Sequence, residues 1–407
     1  MQKPYTRGIH ATAWGAGGRR RVNPLVPHNF DTQEPSWQNG RVPMITSPQA
    51  ASTSKCRGPT IDDLNGLIHS AGFPGPVVGC ERLKGDASNR TYSRIRLKPD
   101  TRPATVVLME LAEPEAFKRS EEAVSGGDAS INELPFVNVH RYLVGRGVAV
   151  PTIHFYDAAA GRMILEDLGD CTLFDAVAGA SPERTETLYR QAIDELVTLQ
   201  TPGAIHDQSR CVAFIRRFDQ PLFLWELDHF LEYGIEARTG ATVPDASRGA
   251  IRRAFTRVAE ELAAAPSVFV HRDYHSRNLM LSGDRLRVID FQDALTGPRT
   301  YDLASLLRDS YVTLDEGLVD RLIAYYLAST NHPPLDPAAF RRLFDVSGFQ
   351  RNLKAAGRFI YIEKVKGRPT HLPFVTPTLR SARRVLDTYS DFAELRDLLA
   401  SYVPEFT

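Results

Sequence analysis

The chain has 407 residues, 43% hydrophobic and 24% charged, the makeup of a soluble globular protein large enough for two or three lobes. Lys plus Arg equals Asp plus Glu at 49 each, so charge gives no reason to expect a nucleic-acid or membrane partner, and no apolar run is long enough to span a bilayer. Cys56, Cys80, Cys171 and Cys211 are scattered without a C-x-x-C pair, which points to reduced thiols in a cytoplasmic protein rather than a disulfide framework or a zinc site.

Residues 1–58 carry Arg19-Arg20-Arg21, scattered Pro, Gly and Ser, and eight basic residues against Asp31 and Glu34, without hydrophobic periodicity. This composition predicts a disordered tail, and it lacks the apolar stretch of a secretory signal. Order is expected from Ile61, where Ile61, Leu64, Leu67 and Ile68 repeat at helical spacing. Ser93–Leu97 and Thr105–Glu110 read as strands joined through 98–103. Ser130-Ile131-Asn132-Glu133 has the form of a capping box and predicts a helix start, with Phe136, Val139, Tyr142 and Leu143 along its apolar face. Thr152–Tyr156 and Met163–Glu166 read as a second strand pair around Gly161. Beyond Gly169 helical spacing dominates, through 221–236, 247–264, 315–328, 336–361 and 378–400, interrupted by short strands over 267–293. The expected architecture is α+β and bilobal: a small antiparallel-sheet lobe over 59–168 and a larger, mainly helical lobe over 169–407, with a cleft between them.

The chemistry is concentrated in His271-Arg272-Asp273-Tyr274-His275-Ser276-Arg277-Asn278, which follows the apolar strand Val268-Phe269-Val270. It matches H-R-D-x-x-x-x-N, the catalytic loop of kinases, in which the Asp accepts the proton of the acceptor hydroxyl and the Asn turns back to hold magnesium. Twelve residues past Asn278, after a hairpin with Gly283-Asp284 at its tip, Asp290-Phe291-Gln292-Asp293 supplies a second hard oxygen ligand. Asp273 is thus the candidate base, and Asn278 and Asp290 the candidate magnesium ligands. His271 reads either as a buried scaffold histidine or as a participant, and Asp302 as a carboxylate bracing a loop or a helix start.

His271–Asn278, Ile289–Asp293 and Tyr301-Asp302-Leu303-Ala304 resemble the aminoglycoside phosphotransferase superfamily of antibiotic, choline and sugar kinases, a likeness covering roughly 62–400. It implies a protein-kinase-like fold and the transfer of phosphate from ATP, with Mg²⁺, to a small molecule. Only ten residues separate Asp290 from Tyr301, and no A-P-E string follows, so a protein kinase activation loop has little room. Within the superfamily the chain looks most like the bacterial kinases that phosphorylate the anomeric hydroxyl of N-acetylmuramate and N-acetylglucosamine. Three segments carry that likeness: Leu83 to Arg94, Leu165-Glu166-Asp167-Leu168-Gly169-Asp170, and Gln350-Arg351-Asn352-Leu353-Lys354 with Gly357 and Phe359.

The resemblance implies that the backbone of Gly85, Ser88 and Asn89 covers the phosphates and that Glu166 to Leu168 meet adenine. The third-strand lysine of kinases is missing, since Met109 or Glu110 occupies its place; Arg90 or Arg94 is expected to replace it. Glu133 is expected to meet that cation or to serve the capping box. For the acceptor, Glu226, His275, Arg351 and Lys354 are candidates, with Gln350 on the helix face of Lys354. Two other readings stand beside the amino-sugar kinase. One is an aminoglycoside or small-alcohol phosphotransferase, which would want an acidic or aromatic pocket; the other is a catalytically silent nucleotide-binding module.

Overall fold

A computed structural model describes residues 59–83, 90–111, 131 and 133–407. The expected tail, the phosphate-covering segment with Gly85, Ser88 and Asn89, and Ser130 and Asn132 of the expected capping box lie outside the described residues.

Five antiparallel strands form one sheet in the order β1-β2-β3-β5-β4: β1 Val77–Arg82, β2 Thr91–Leu97, β3 Thr105–Glu110, β4 Ile153–Asp157 and β5 Arg162–Glu166. Side chains alternate between the two faces. Ile95, Val106, Leu108 and Ile164 pack with Leu64, Leu67 and Ile68 of the helix Ile61–Ser70. That helix starts at a capping box the sequence reading overlooked, in which Thr60 and Asp63 exchange hydrogen bonds. The opposite face presents Val107, Met109, Met163 and Leu165 to the helix Pro135–Gly145, and its core runs on into the helical lobe.

The helix Pro135–Gly145 corrects an expectation: it begins at Pro135 with Leu134 as an uncapped N-cap, rather than at Ser130. Proline suits the first helical position, because its φ is preset and its missing N–H is not needed there. It also disfavours helical geometry in the residue before it, and Leu134 accordingly stands outside the helix at φ −55°, ψ 123°. Glu133 neither caps the helix nor meets Arg90 or Arg94. Its carboxylate takes both arms of Arg141, at 2.6 and 2.7 Å, and the amide of Asn138 at 2.8 Å.

The helical lobe packs Gln220–His229, Asp245–Ala263 and Val375–Thr388 around a thirty-residue helix, Pro337–Lys366. Two expected single helices are subdivided. Residues Phe230–Ala237 continue Gln220–His229 as π-helix, and a 3₁₀ turn at Ser390–Phe392 separates Val375–Thr388 from Ala393–Ala400. Within this lobe β6, Ser267–Val270, pairs with β9, Leu295–Pro298, and β7, Leu279–Ser282, pairs with β8, Arg285–Val288. The catalytic loop therefore emerges from a strand paired along its length with β9. The bilobal α+β architecture is present, and among the described residues no helix is long and apolar enough to cross a membrane.

Candidate active site

The loop after β6 is fixed by its backbone. Asp302 is fully buried at the start of the helix Tyr301–Leu307 and accepts from the N–H of His271 at 2.6 Å and of Arg272 at 3.0 Å. It thus braces the loop, and burial pushes its carboxyl up to about 7. Asp309 accepts from the N–H of Ser276 at 2.9 Å, and the buried Tyr274 donates to the carbonyl of Ala192 at 2.8 Å. Between these anchors Arg272 sits at φ 77°, a conformation costly for a side chain with a Cβ, and its guanidinium reaches back to Glu226 at 2.6 Å. The loop is bent so that Asp273 faces the cleft with its side chain 43% exposed.

His271 is a scaffold residue. Its Nε2 donates to the carbonyl of Ile289 at 2.9 Å, its Nδ1 accepts from the N–H of Asp273 at 3.3 Å, and burial lowers its pKa, so the ring is neutral. Burial works to raise the Asp273 carboxyl as well, but Lys354, then His275, Arg272 and Arg351, outweigh it and hold it well below the usual carboxylate range. Lys354 places Nζ 3.2 Å from Asp273 Oδ1.

The four acceptor candidates separate here. Glu226 is 1% exposed and holds Arg272 together with the amide of Gln350, at 2.8 Å, so it is a buried anchor below the cleft. Arg351 is 3% exposed and donates to Ser310 at 2.9 Å. His275 is packed edge-on to Tyr311, 5.2 Å between ring centres, and burial lowers its pKa. Lys354 is the one of the four whose side chain pairs with the Asp273 carboxylate.

Asn278 donates its amide N–H to the carbonyl of Asp273 at 2.9 Å, which leaves its Oδ1 for the cleft. Asp290, at φ 65°, is turned outward while the next residue, Phe291, is buried against Phe136, 4.9 Å between ring centres. Gln292 donates to Asp290 Oδ1 at 3.0 Å, and Arg90 approaches the same oxygen at 3.6 Å.

The alternation of β3 explains the missing lysine. Met109 is fully buried, and Glu110 points to the other face, where it pairs with Arg162 at 3.2 Å. Arg90 stands just beyond the Tyr92–Met109 cross-strand pair and turns its guanidinium toward Asp290. Arg94 departs from expectation. Its guanidinium is taken up by Asp167, at 2.6 and 3.0 Å, and by Asp170, at 2.9 and 3.0 Å, and so ties the sheet to the connector between the lobes. Those side chains, with Thr105, Leu168, Gly169 and Ser282, line a cavity of about 460 Å³ where connector and sheet meet. Glu166 turns its carboxylate away to Thr152, at 3.0 Å, while Leu168 is buried.

Residues 79–339 match the model of a phosphotransferase enzyme family. The chain belongs to that family. A relative in Pseudomonas putida named N-acetylmuramate/N-acetylglucosamine kinase is 32% identical over 273 residues, which are 66% of this chain and 78% of the relative. A protein of the same name in Neisseria meningitidis is 34% identical over 261 residues, 63% of this chain and 76% of that protein. Among solved structures, choline kinase LicA from Streptococcus pneumoniae superposes with a TM-score of 0.54 at 15% identity, covering 81% of this chain and 99% of that one. Aminoglycoside phosphotransferase APH(2'')-Ib superposes at 0.51 and 15% identity, covering 79% and 96%. At such identities the structures speak for the fold alone.

The sequence reading of this phosphotransferase missed Asp167, Asp170 and Asp309 as supports of the site, and Gln350, expected on the acceptor side, instead holds Glu226. Asp167 and Asp170 lay in the connector segment already singled out. An acid one and four residues after its strand, facing an arginine on a cleft-facing strand position, was the available signal.

Proposed function

We propose that this phosphotransferase moves the γ-phosphoryl group of ATP onto the anomeric hydroxyl of an N-acetylated amino sugar. The observation that carries the reading is the junction of Asp273 with Lys354, with Asn278 bonded to the Asp273 carbonyl and an exposed Asp290 next to Arg90. The names of relatives more than 30% identical supply the sugar class.

Phosphoryl transfer needs positioning and charge compensation more than covalent help. Asp273, ionised and aimed by the braced loop, accepts a hydrogen bond from the sugar hydroxyl. The hydroxyl oxygen bonds to the γ-phosphorus as the bridging P–O bond breaks, its proton passes to the carboxylate, and ADP leaves with the bonding electrons. Arg90 counters phosphate charge in place of a third-strand lysine, while Lys354 holds Asp273 in orientation. Leu168 offers an apolar wall for adenine, and the main chain of Glu166 to Leu168 offers hydrogen-bonding groups.

The outward Oδ1 of Asn278 and the carboxylate of Asp290 suit magnesium, which prefers oxygen ligands and keeps waters and phosphate oxygens in its shell. Among the described residues no three or more His, Cys, Asp or Glu side chains converge as a cage, and a metal held largely by phosphates needs none. When bound, the ion neutralises charge on the phosphates.

An antibiotic carrying several ammonium groups is less well served. Three of the four acids of the 226–236 segment are committed to arginines: Glu226 to Arg272, Asp228 to Arg252 and Glu236 to Arg248. The test is ADP release with Mg²⁺-ATP and N-acetylmuramate, N-acetylglucosamine, kanamycin or choline, beside Asp273→Asn. An acid-labile sugar 1-phosphate made only by the wild type supports the proposal. Turnover with kanamycin or choline alone would discard the sugar, and nucleotide binding without turnover on any acceptor would favour the silent module.

A further inference from the structure

The helix Pro337–Lys366 runs through the core of its lobe. From Leu343 to Ile362 every side chain is buried except three, Lys354, Arg358 and Tyr361. At 3.6 residues per turn these positions, i, i+4 and i+7, share one face. Their exposure therefore marks a single groove along the helix, and Lys354 fixes its inner end at Asp273. A rise of 1.5 Å per residue puts Arg358 about 6 Å and Tyr361 about 10 Å farther out, the scale of one sugar ring and a substituent.

The side of this face at Tyr361 is an aromatic wall. His229 and Tyr233 pack directly against the Tyr361 ring, 5.5 and 5.1 Å between centres, and Trp225 stacks on His229 at 6.1 Å. The π-helical turn Phe230–Ala237 lies in this wall, a distortion frequently found at functional sites. Gly357 lets the two helices meet, since a Cβ there would stand 3.0 Å from Phe230 Cα. The Arg358 guanidinium lies over the Tyr361 ring at 4.7 Å, a placement that orients its planar fork.

We propose that Arg358, steadied by Tyr361, binds a carboxylate on the acceptor while the aromatic wall receives the apolar face of the sugar. This rests on the amino-sugar reading above. It assigns to Arg358 the preference for an acceptor bearing an acidic side arm, such as the lactyl ether of N-acetylmuramate, over the neutral N-acetylglucosamine. A guanidinium–carboxylate pair can be bidentate, whereas a neutral hydroxyl leaves the fork half used.

The experiment measures kcat and KM of wild type, Arg358→Gln and Arg358→Lys on both sugars at saturating ATP, with thermal midpoints to confirm folding. Arg358→Gln is expected to lower kcat/KM for N-acetylmuramate by about tenfold or more, chiefly through KM, and to leave N-acetylglucosamine within about twofold. Arg358→Lys, which keeps charge without the fork, should fall between. Equal losses on both sugars in a folded variant, or no loss on either, would overturn the assignment alone. Turnover of neither sugar by the wild type would overturn the amino-sugar reading and this assignment with it.

Discussion

Lys354 stands between two carboxylates, its ammonium 3.2 Å from Asp273 at the cleft and 3.6 Å from the buried Glu226 behind it. The Asp273 carboxyl is depressed against the pull of burial, and Lys354 is the largest counterweight. A depressed folded-state pKa means that the ionised form is favoured, that its contribution to stability is present above the unfolded value, and that it fades as pH falls through the folded one. Removing the cation reverses the balance. Lys354→Met is therefore expected to lower kcat and to move the acid limb of the pH–rate profile upward. A profile that drops in height without moving would show that Lys354 acts by position alone.

Arg90 and Arg94 lie on the same side of the sheet but have different duties. Arg90 approaches Asp290, and Arg94 is clamped by Asp167 and Asp170. Arg90→Ala should raise the KM for ATP by about tenfold, equivalent to about 1.4 kcal/mol. Arg94→Ala should instead lower the thermal midpoint, and Asp167→Asn should reproduce that loss. If Arg94→Ala raises the ATP KM more than Arg90→Ala does, the division is wrong.

Asp302 links stability to the loop. Its two backbone hydrogen bonds hold the residues just before Asp273, yet burial pushes its carboxyl up to about 7. A raised folded-state pKa contributes stability that is full below the unfolded value and is lost as pH rises through about 7. Asp302→Asn substitutes a donor for one acceptor and leaves a backbone N–H unmatched, at a cost of about 1–3 kcal/mol. The variant should show a lower thermal midpoint and a reduced kcat, and its deficit against wild type should shrink between pH 5 and pH 8, a range of about three units about that pKa. A deficit that grows with pH would contradict the assigned direction.

Local signals explain what was legible. The string from His271 to Asn278, with Asp290 after a hairpin, is specific because every position answers a chemical need, and those residues come together around the cleft. The strands and most helices followed from period two and period 3.6, which depend on neighbours in sequence. Two of the errors were long-range and one was local. Glu226 reads as an acid on an aromatic helix and becomes a buried anchor only because Arg272 and Gln350, 46 and 124 residues away, fold onto it. Arg94 looks like Arg90 until the connector carboxylates are placed opposite it. The start of the Pro135–Gly145 helix was misread although Pro135 was visible, because the capping pattern was weighed without the proline's effect on Leu134.

Two glycines in helices test whether the groove depends on close contact. Gly→Ala inside a helix ordinarily stabilises by up to about 1 kcal/mol, because alanine loses less backbone freedom. Gly66, in the helix Ile61–Ser70, has open space where a Cβ would go, and Gly66→Ala should show that gain. At Gly357 the same methyl would meet backbone, Phe230 Cα at 3.0 Å with Phe230 N and His229 O at 3.3 Å, which cannot rotate away as a side chain would. The helices must separate instead, and Gly357→Ala should destabilise by about 1–3 kcal/mol. Because the same contact sets the distance between Tyr361 and the wall of His229 and Tyr233, the acceptor KM should rise while the ATP KM stays within about twofold. Stabilisation by both substitutions, with both KM values unchanged, would show that the contact has slack and does not set the width of the groove.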